Sequence, residues 1–449
     1  MILASLKEIS ADLTAFIIKE MAGDKNGREF SNMKTYTEAT TLAIQNDAPI
    51  QSSQASFEVC MHVLGPTRTD ARVMRAATAL AENGYAVTII DVENGKNQKV
   101  EEEISGICVK HIRVSNSFTS TRFTRWPLLR AAQMFIHATL RLLRTPTDVY
   151  HAHDVHALPA CYIASRLRRK PLVFDSHELP SPEIMTIHWR WVHVFLNHLL
   201  KYILPRCTGV ITVSAPIAEE MQKRYRAPGV LLIRNIPGYR AMPRSDKLQR
   251  RLNLDPGTRI ALYQGHIQTV RRLDLLIHAA KFLDEDIVVA IMGNDVEGIL
   301  PELEALVARE EVTDRVKFLP PVPYQELLEW TASADIGLIV YAPDCSLNIQ
   351  LCLPNKLFEY LMAGVPILAS TLLEATSDVL RAHDAGKIIS SLTPVGIAAC
   401  INAMLADSVA LERMRRNALK AAQEEFHWEK ESQKLVQLYR DILVRQKAM

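Results

Sequence analysis

The chain has no C-x-x-C pair, no excess of charge of one sign and no uninterrupted apolar run of membrane length. Its seven cysteines, Cys60, Cys108, Cys161, Cys207, Cys345, Cys352 and Cys400, are odd in number and dispersed. That pattern excludes a disulfide framework and a thiolate zinc site, and it fits a reducing compartment. Lys and Arg together number 52 against 50 for Asp and Glu, so no global charge selects nucleic acid or an acidic partner. The longest uncharged stretch, residues 388–406, contains Ser390, Ser391, Thr393 and Pro394, a turn followed by a helix start, which leaves too little for a membrane span. The opening MILASLKEISADLTAF places Lys7, Glu8 and Asp12 where a secretory signal needs an apolar core. A cytoplasmic location is expected.

What is present is an ordinary globular composition, 48% hydrophobic and 23% charged over 449 residues, long enough for two or three domains with sizeable cores. Residues 1–55 read as a polar extension with a helical pattern near residues 3–21. From Phe57 the pattern changes to strand (FEVCMHVLG), helix (ARVMRAATALAENGY) and strand (AVTIIDVE), the signature of a parallel sheet. TDVYHAHD, PLVFDSHE, GVITVS and LLIRNIPGY continue it, and the alternation restarts at RIALYQGHI with DIVVAIMG, RVKFLP, DIGLIVYA and VPILAS as later strands and helices between. The expected architecture is α/β with two doubly wound Rossmann-like domains, 56–240 and 241–425, facing a central cleft. Two helical stretches end the chain, and residues 426–449 are expected to fold back as a helix on the first domain.

Ligand residues in open parallel sheets gather at the carboxyl ends of strands. His151, His153 and Asp154 stand at one such end, and Asp175, Ser176, His177 and Glu178 at another. The most informative segment is LCLPNKLFEYLMAGVPILAS. Pro354 and Asn355 mark a helix start, Gly364 suits the residue beyond its end, and Lys356 and Glu359 share one helical face. A helix N-terminus offers unpaired N–H groups and partial positive charge to a phosphate. Lys356 adds a full charge, and Glu359 one turn on can accept hydrogen bonds from vicinal hydroxyls such as those of ribose. Taken alone, a Lys and a Glu three apart are a surface ion pair; their context gives them the other reading.

PNKLFEYLMAGVPILAS, with YQGHIQTVRRLDLLI, ADIGLIVY, VYHAHD, VFDSHE and GVITVS in that context, resembles the GT-B glycosyltransferases of family 4, retaining enzymes that use nucleotide-sugar donors. The resemblance runs from about Phe57 to the C-terminus and implies transfer of a sugar to a hydroxyl acceptor by front-face attack, with the leaving phosphate helping to accept the proton. By resemblance, Glu359 is the ribose carboxylate, and Lys356 with the backbone of Leu353, Pro354 and Asn355 contacts pyrophosphate and sugar. Arg271, six residues after Gly265, clamps the donor phosphates, and His177 stands at the reaction centre with Arg271 and Lys356. Gly293 lies in the loop Gly293-Asn294-Asp295 lining the nucleotide site. His153 and Asp154 line the acceptor side, where Arg68, Asp70 and Arg72 of LGPTRTDARV also face. Asn235 falls at the hinge between domains.

The departures are specific. Leu351 stands eight positions before Glu359, where the family's Glu-x7-Glu motif has its first Glu, and SLNIQLC replaces the preceding glycines, leaving Asn348 or Gln350 to substitute. His266 replaces a customary Arg. A GT-B sugar-nucleotide epimerase and a noncatalytic nucleotide-binding subunit are the alternatives. HAHDVH has the H-x-H spacing of metal-dependent amidohydrolases, but the restart after residue 258 opposes a single barrel. Asp284-Glu285-Asp286 reads as a solvated turn rather than a metal-binding DxD. No metal and no cofactor beyond the nucleotide-sugar substrate are expected, and no nucleic acid.

Two acid-free stretches bear on the acceptor. Residues 117–145 carry Arg122, Arg125, Arg130, Arg141 and Arg144 among Phe123, Trp126, Leu129, Phe135 and Leu140, and residues 187–206 carry Trp189, Arg190, Trp191, Phe195, Lys201 and Arg206. Such helices lie on anionic lipid or pack on their own sheet. A lipid-linked acceptor and peripheral contact with the inner face of the plasma membrane are one reading, and ordinary packing is the other.

Overall fold

The computed structural model describes residues 57–93, 100–113, 127–180, 190–341 and 346–447. The helical pattern near residues 3–21, Arg122, Arg125, Trp126 and Trp189 lie outside them. Residue contacts divide the chain into two compact units. One runs to Asp175 and takes in Pro180–Val210 and Arg224–Pro228; the other holds Ser176–Leu179, Ile211–Lys223 and everything from Gly229.

The larger sheet alternates as the sequence predicts: β1 (Glu58–His62), α1 (Ala71–Glu82), β2 (Ala86–Glu93), β3 (Glu101–Ile104), β4 (Ile107–Arg113), α2 (Pro127–Arg144), β5 (Val149–His153), α3 (Asp154–Arg168), β6 (Leu172–Ser176), α4 (Arg190–Ile203), β7 (Gly209–Thr212), α5 (Ala215–Tyr225) and β8 (Val230–Leu232). Its eight strands lie in the order β3-β4-β2-β1-β5-β6-β7-β8. β1 pairs in parallel with β2 and β5, while β3 is antiparallel to β4. The β3–β4 hairpin is absent from the hydrophobic periodicity because β3 reads EEEI, a charged edge strand. Its turn uses Ser105 and Gly106, both at positive φ, 53° and 76°.

In the second unit α6 (Lys247–Leu252) leads into β9 (Arg259–Gln264), α7 (Asp274–Ala279), β10 (Ile287–Met292), α8 (Leu300–Arg309), β11 (Val316–Leu319), α9 (Tyr324–Thr331), β12 (Ile336–Ile339), α10 (Leu347–Leu351), α11 (Asn355–Met362), β13 (Ile367–Ser370), α12 (Glu374–His383) and β14 (Gly386–Ile389). The terminal helices are α13 (Pro394–Ala406), α14 (Ser408–Glu424) and α15 (Trp428–Lys447), three where the sequence suggests two. The strand order is β11-β10-β9-β12-β13-β14, so the winding reverses between β9 and β12, the place where open α/β sheets bind ligands.

Alternation along β9 puts Ile260 and Leu262 on one face with Leu357, Phe358 and Leu361 of α11, and Ala261 and Tyr263 on the other with Leu276, Ile277 and Ile401. Both faces are buried, as a parallel sheet requires. α15 is fastened by the Trp428 N–H to the Pro237 carbonyl at 2.9 Å and by fully buried Glu431, which accepts from the Arg234 backbone and guanidinium at 3.0 and 2.9 Å. No single helix among the described residues is long and apolar enough to cross a membrane.

Candidate functional site

The reversal between β9 and β12 is opened by a side chain. The two strands pair at Ile336 with Ala261 and Gly337 with Leu262. Tyr360 of α11 then serves the last residues of β9: its hydroxyl donates to the Leu262 carbonyl at 2.8 Å and accepts from the Gln264 N–H at 3.2 Å. Gly337 permits this, since a Cβ there would meet the Tyr360 ring at 2.6 Å.

Beyond β9 the backbone turns at Gly265 with φ +132°, donating its N–H to the Met292 carbonyl at 3.0 Å. A Cβ on Gly293 would stand 1.7 Å from the Gly265 carbonyl oxygen, so this close approach of two strand ends requires glycine. A Cβ on Gly265 would stand 3.0 Å from the Lys356 ammonium. That gap is the passage by which Lys356, rooted on the Tyr360 face of the sheet, crosses the strand end to the opposite face.

There its Nζ lies 3.8 Å from the centre of the Tyr263 ring and 5.8 Å from that of Tyr341. The Arg271 guanidinium carbon is 4.8 Å from the same Tyr341 ring. Two cations thus share an aromatic floor, held by ring quadrupoles as well as by packing. Burial, then the Arg271 charge, hold the Lys356 amine well below its ordinary pKa, opposed by Glu359 and Cys352. The nearby His266 imidazole is also pushed down, by desolvation first and by Arg271 and Lys356 second. Tyr263 directs its hydroxyl to the His266 carbonyl at 2.8 Å. Both shifts come first from desolvation and second from neighbouring positive charge, and an adjacent anion would oppose the second.

The helix that carries Lys356 starts as the sequence predicts. Pro354 is its N-cap in extended conformation without a side-chain cap, and Gly364 follows its end at φ +64°. The Leu357 N–H donates to the Pro354 carbonyl at 2.9 Å, and no side chain of the N-cap covers the N–H groups of Asn355 and Lys356 ahead of it, the arrangement of an anion-binding terminus. Leu353 and Pro354 are half-buried and Asn355 is exposed; Asn355 accepts from the Asn235 amide at 3.3 Å. Glu359, one turn on and half-buried, accepts from the Gln264 side-chain amide. The structure therefore brings Gly265, Arg271, Gly293, Lys356 and Glu359 together around the end of β9. It adds Tyr263, Gln264, Tyr341 and Tyr360, which sequence reasoning did not single out. The available signal was Gln264, a polar residue ending the otherwise apolar run IALY.

The first unit holds a second polar group. Arg72, 4% exposed, donates through Nε and NH2 to both carboxylate oxygens of Asp175, at 2.9 and 2.6 Å. His153 Nδ1 is 3.4 Å from the same carboxylate and its ring stacks on His151 at 4.2 Å between centroids. Donor atoms of His151, His153 and Asp175 lie within 4.8 Å of one another, but the guanidinium already occupies Asp175 and adds a positive charge that opposes a cation there. Asp154 begins α3 in the left-handed region, φ +62°. Asp70 caps α1, accepting from the Arg72 and Val73 N–H groups at 3.1 Å each, and Arg68 pairs with Glu102. A further cluster joins His111 Nδ1 to Asp91 at 2.6 Å, with Asp91 also accepting the Thr67 N–H at 2.9 Å.

Within the second unit, His177 is half-buried just after β6. Asn348 of α10 accepts the Leu179 N–H at 2.9 Å and donates to Glu178 at 3.1 Å, so its amide is engaged by backbone and carboxylate. Asp284, Glu285 and Asp286 form an exposed turn, with Asp286 paired to Arg259.

A doubly wound sheet with a cationic, glycine-lined switch point is a frame suited to an anionic ligand such as a nucleotide. Residues 71–235 match the family model described as Glycosyltransferase Family 4, and residues 244–421 that described as Glycosyl transferases group 1. The chain belongs to the GT-B glycosyltransferases of the family 4 type. Among relatives, it is 25% identical over 389 residues to a D-inositol 3-phosphate glycosyltransferase of Nocardia farcinica, covering 82% of this chain and 83% of that protein. A protein of the same description from Geodermatophilus obscurus is 29% identical over 400 residues, with the same two coverages, 82% and 83%. Among solved structures, sucrose-phosphate synthase from Thermosynechococcus elongatus superposes with TM-score 0.67 at 17% identity, covering 87% of this chain and 100% of that one. Anabaena HepE in complex with UDP gives TM-score 0.66 at 15% identity, covering 86% and 100%. These likenesses bear out the α/β GT-B architecture.

Proposed function

We propose that this glycosyltransferase moves a sugar from a nucleoside diphosphate sugar to a hydroxyl acceptor with retention at the anomeric carbon. The observation that carries the reading is the meeting of Lys356 and Arg271 over Tyr341 at the start of α11, with Glu359 one turn further on. Departure of the diphosphate is the costly event, and fixed cations plus a helix N-terminus oppose the charge it develops. On this reading transfer is metal-independent and needs no cofactor beyond the donor. Leu353, Pro354 and Asn355 present backbone to the pyrophosphate, Gly265 and Gly293 admit the nucleotide, and Glu359 takes its ribose. The leaving phosphate helps to accept the acceptor's proton beside His177, with Arg68, Asp70, His153 and Asp154 on the acceptor side. Residues 56–240 serve the acceptor and 241–425 the donor.

A complex of Anabaena HepE with UDP-glucose supports a UDP-sugar as the first donor to try. The relatives' descriptions make D-inositol 3-phosphate the first acceptor, and a lipid-linked hydroxyl at the inner face of the plasma membrane is the second. Full-length protein is assayed for release of free diphosphate from UDP-, GDP- and ADP-sugars with each acceptor, alongside Glu359→Ala. Loss of two bonds to a carboxylate, about 1.5–3 kcal/mol each, is expected to weaken nucleotide binding in the variant. Equal affinity of variant and wild type for UDP, GDP and ADP sinks the ribose assignment. Turnover lost in EDTA and restored by a divalent ion sinks metal independence.

A further inference from the structure

We infer that Gln264 is a positioning residue for nucleotide recognition, holding the Glu359 carboxylate in the orientation that receives the two ribose hydroxyls. The inference rests on the donor reading above and extends it to residues that the resemblance does not supply. Gln264 closes β9 and is 2% exposed, a buried amide whose every polar atom must find a partner or cost stability. Its side chain belongs to the face of the sheet that α11 covers, which is why it meets Glu359 rather than Tyr263.

The orientation of the amide follows from chemistry. A carboxylate only accepts, so the NH2 end must face Glu359, and the carbonyl end then faces the Thr331 hydroxyl at 2.8 Å. Thr331 is itself fully buried at the end of α9 and its hydroxyl also lies 2.7 Å from the Leu327 carbonyl. The hydroxyl has one proton for these two acceptors; when it is donated to Gln264 the result is a chain, Thr331 to Gln264 to Glu359, in which each bond polarises the next toward the carboxylate.

Strand and helix are also tied by a second hydrogen bond. The Gln264 N–H donates to the hydroxyl of Tyr360, the neighbour of Glu359 in α11. Donor and carboxylate thus sit on two rigid elements joined at adjacent residues, the condition for a pre-organised contact. A neutral amide has a further advantage over an arginine or lysine partner. It fixes the carboxylate without neutralising it, so Glu359 keeps its capacity to accept from hydroxyl donors.

The test measures ribose discrimination, which a merely structural role does not move. Dissociation constants of full-length wild type and Gln264→Met are determined for UDP, GDP and ADP and for their 2′-deoxy counterparts. The nucleotide that binds wild type best is expected to lose about tenfold on removal of its 2′-hydroxyl. In Gln264→Met that ratio is expected to fall to about twofold, while affinity for the deoxynucleotide is unchanged. Thr331→Val, which removes only the far end of the chain, gives an intermediate ratio, and Thr331→Ser restores it. If Gln264→Met does not fold, the Thr331 pair decides alone. A full wild-type ratio in the folded variants, or equal weakening of ribo- and deoxynucleotide, overturns the inference and leaves the donor reading standing. Wild type that binds none of the three diphosphates overturns both.

Discussion

The Lys356 ammonium stands 3.8 Å from the centre of the Tyr263 ring, although the two residues are rooted on opposite faces of one sheet. Gly265 makes the meeting possible by leaving the strand end bare. The ring then does two things at once: it excludes water from the amine, and its face supplies weak negative potential that water would otherwise provide. The cation is thereby held incompletely solvated, and on the proposed reading a donor phosphate completes its surroundings.

The aromatic floor is separable from the Tyr263 hydroxyl. Tyr263→Phe keeps the ring and is expected to bind nucleoside diphosphate within about twofold of wild type. Tyr263→Leu removes a cation–π contact of about 1–2 kcal/mol in a desolvated site and is expected to weaken binding about fivefold or more. Calorimetric titration of UDP, GDP and ADP reads both, and equal losses in Phe and Leu variants would assign the effect to the hydroxyl instead.

Binding of the diphosphate is expected to take up protons. The free-state amine of Lys356 is held below its ordinary value by burial and by Arg271, and an adjacent diphosphate anion raises it again. The complex therefore holds more protons than its parts between the depressed free-state value and the higher value in the complex, and affinity falls as pH rises through that window. Titration above pH 8, where the phosphate itself has finished ionising, in buffers of different ionisation enthalpy measures the uptake. Cys352→Ser controls for the neighbouring thiol. Zero uptake, or affinity that climbs with pH, contradicts the assignment.

The same amine costs the empty protein stability. In the unfolded chain it has its ordinary pKa and in the folded one a lower value, so unfolding binds protons between the two and stability rises with pH across that interval. Lys356→Met removes the buried charge and keeps an adaptable side chain against the ring. Its unliganded melting temperature is expected to rise while the shift produced by nucleotide shrinks. A lower melting temperature with an undiminished nucleotide shift would show the reverse role.

The buried Arg72–Asp175 pair is expected to be costly to break from either side. Arg72→Met leaves a carboxylate 3% exposed with its two-point partner gone, a loss of about 3–5 kcal/mol. The double change Arg72→Met with Asp175→Asn removes the stranded charge and recovers most of it. Urea unfolding of the four proteins gives the coupling, and additive single effects would refute it.

The apolar residues left exposed on α2 and α4 mark the acceptor-side prediction. Ile136 and Leu140 are 53% and 43% exposed, and Val194 and Tyr202 are 51% and 53% exposed, on helices that also carry Arg141, Arg144 and Lys201. Cosedimentation with anionic vesicles is expected at low ionic strength and is lost as salt shortens the screening length to about 10 Å at 0.1 M. Replacing Arg122, Arg125 and Arg130 by Ser should weaken it by about 1 kcal/mol per charge while leaving nucleotide affinity intact. No cosedimentation of wild type assigns these helices to packing alone, and equal cosedimentation of the triple variant removes Arg122, Arg125 and Arg130 from the contact.

Local chemistry determined the elements of this protein. Alternating apolar strands and helical spacings are properties of neighbours in the chain, so β9, β10, β12 and β13 are legible in their sequences, as is α11 from Pro354 and Asn355 to Gly364. The β3 strand escaped because an edge strand of glutamates carries no apolar period, and the break at Asp407 between α13 and α14 escaped because both are helical patterns. Lys356 and Glu359 were legible as a pair because three residues on a helix fix their common face. Their partners were not. Gln264 is 95 positions from Glu359 and 67 from Thr331, and Arg72 is 103 positions from Asp175. Only the order of strands and the packing of helices on them put those atoms within hydrogen-bond reach. The same tertiary step moved Lys356 across the strand end onto Tyr263, and so decided which side chain of a legible helix meets Arg271 over the shared aromatic rings.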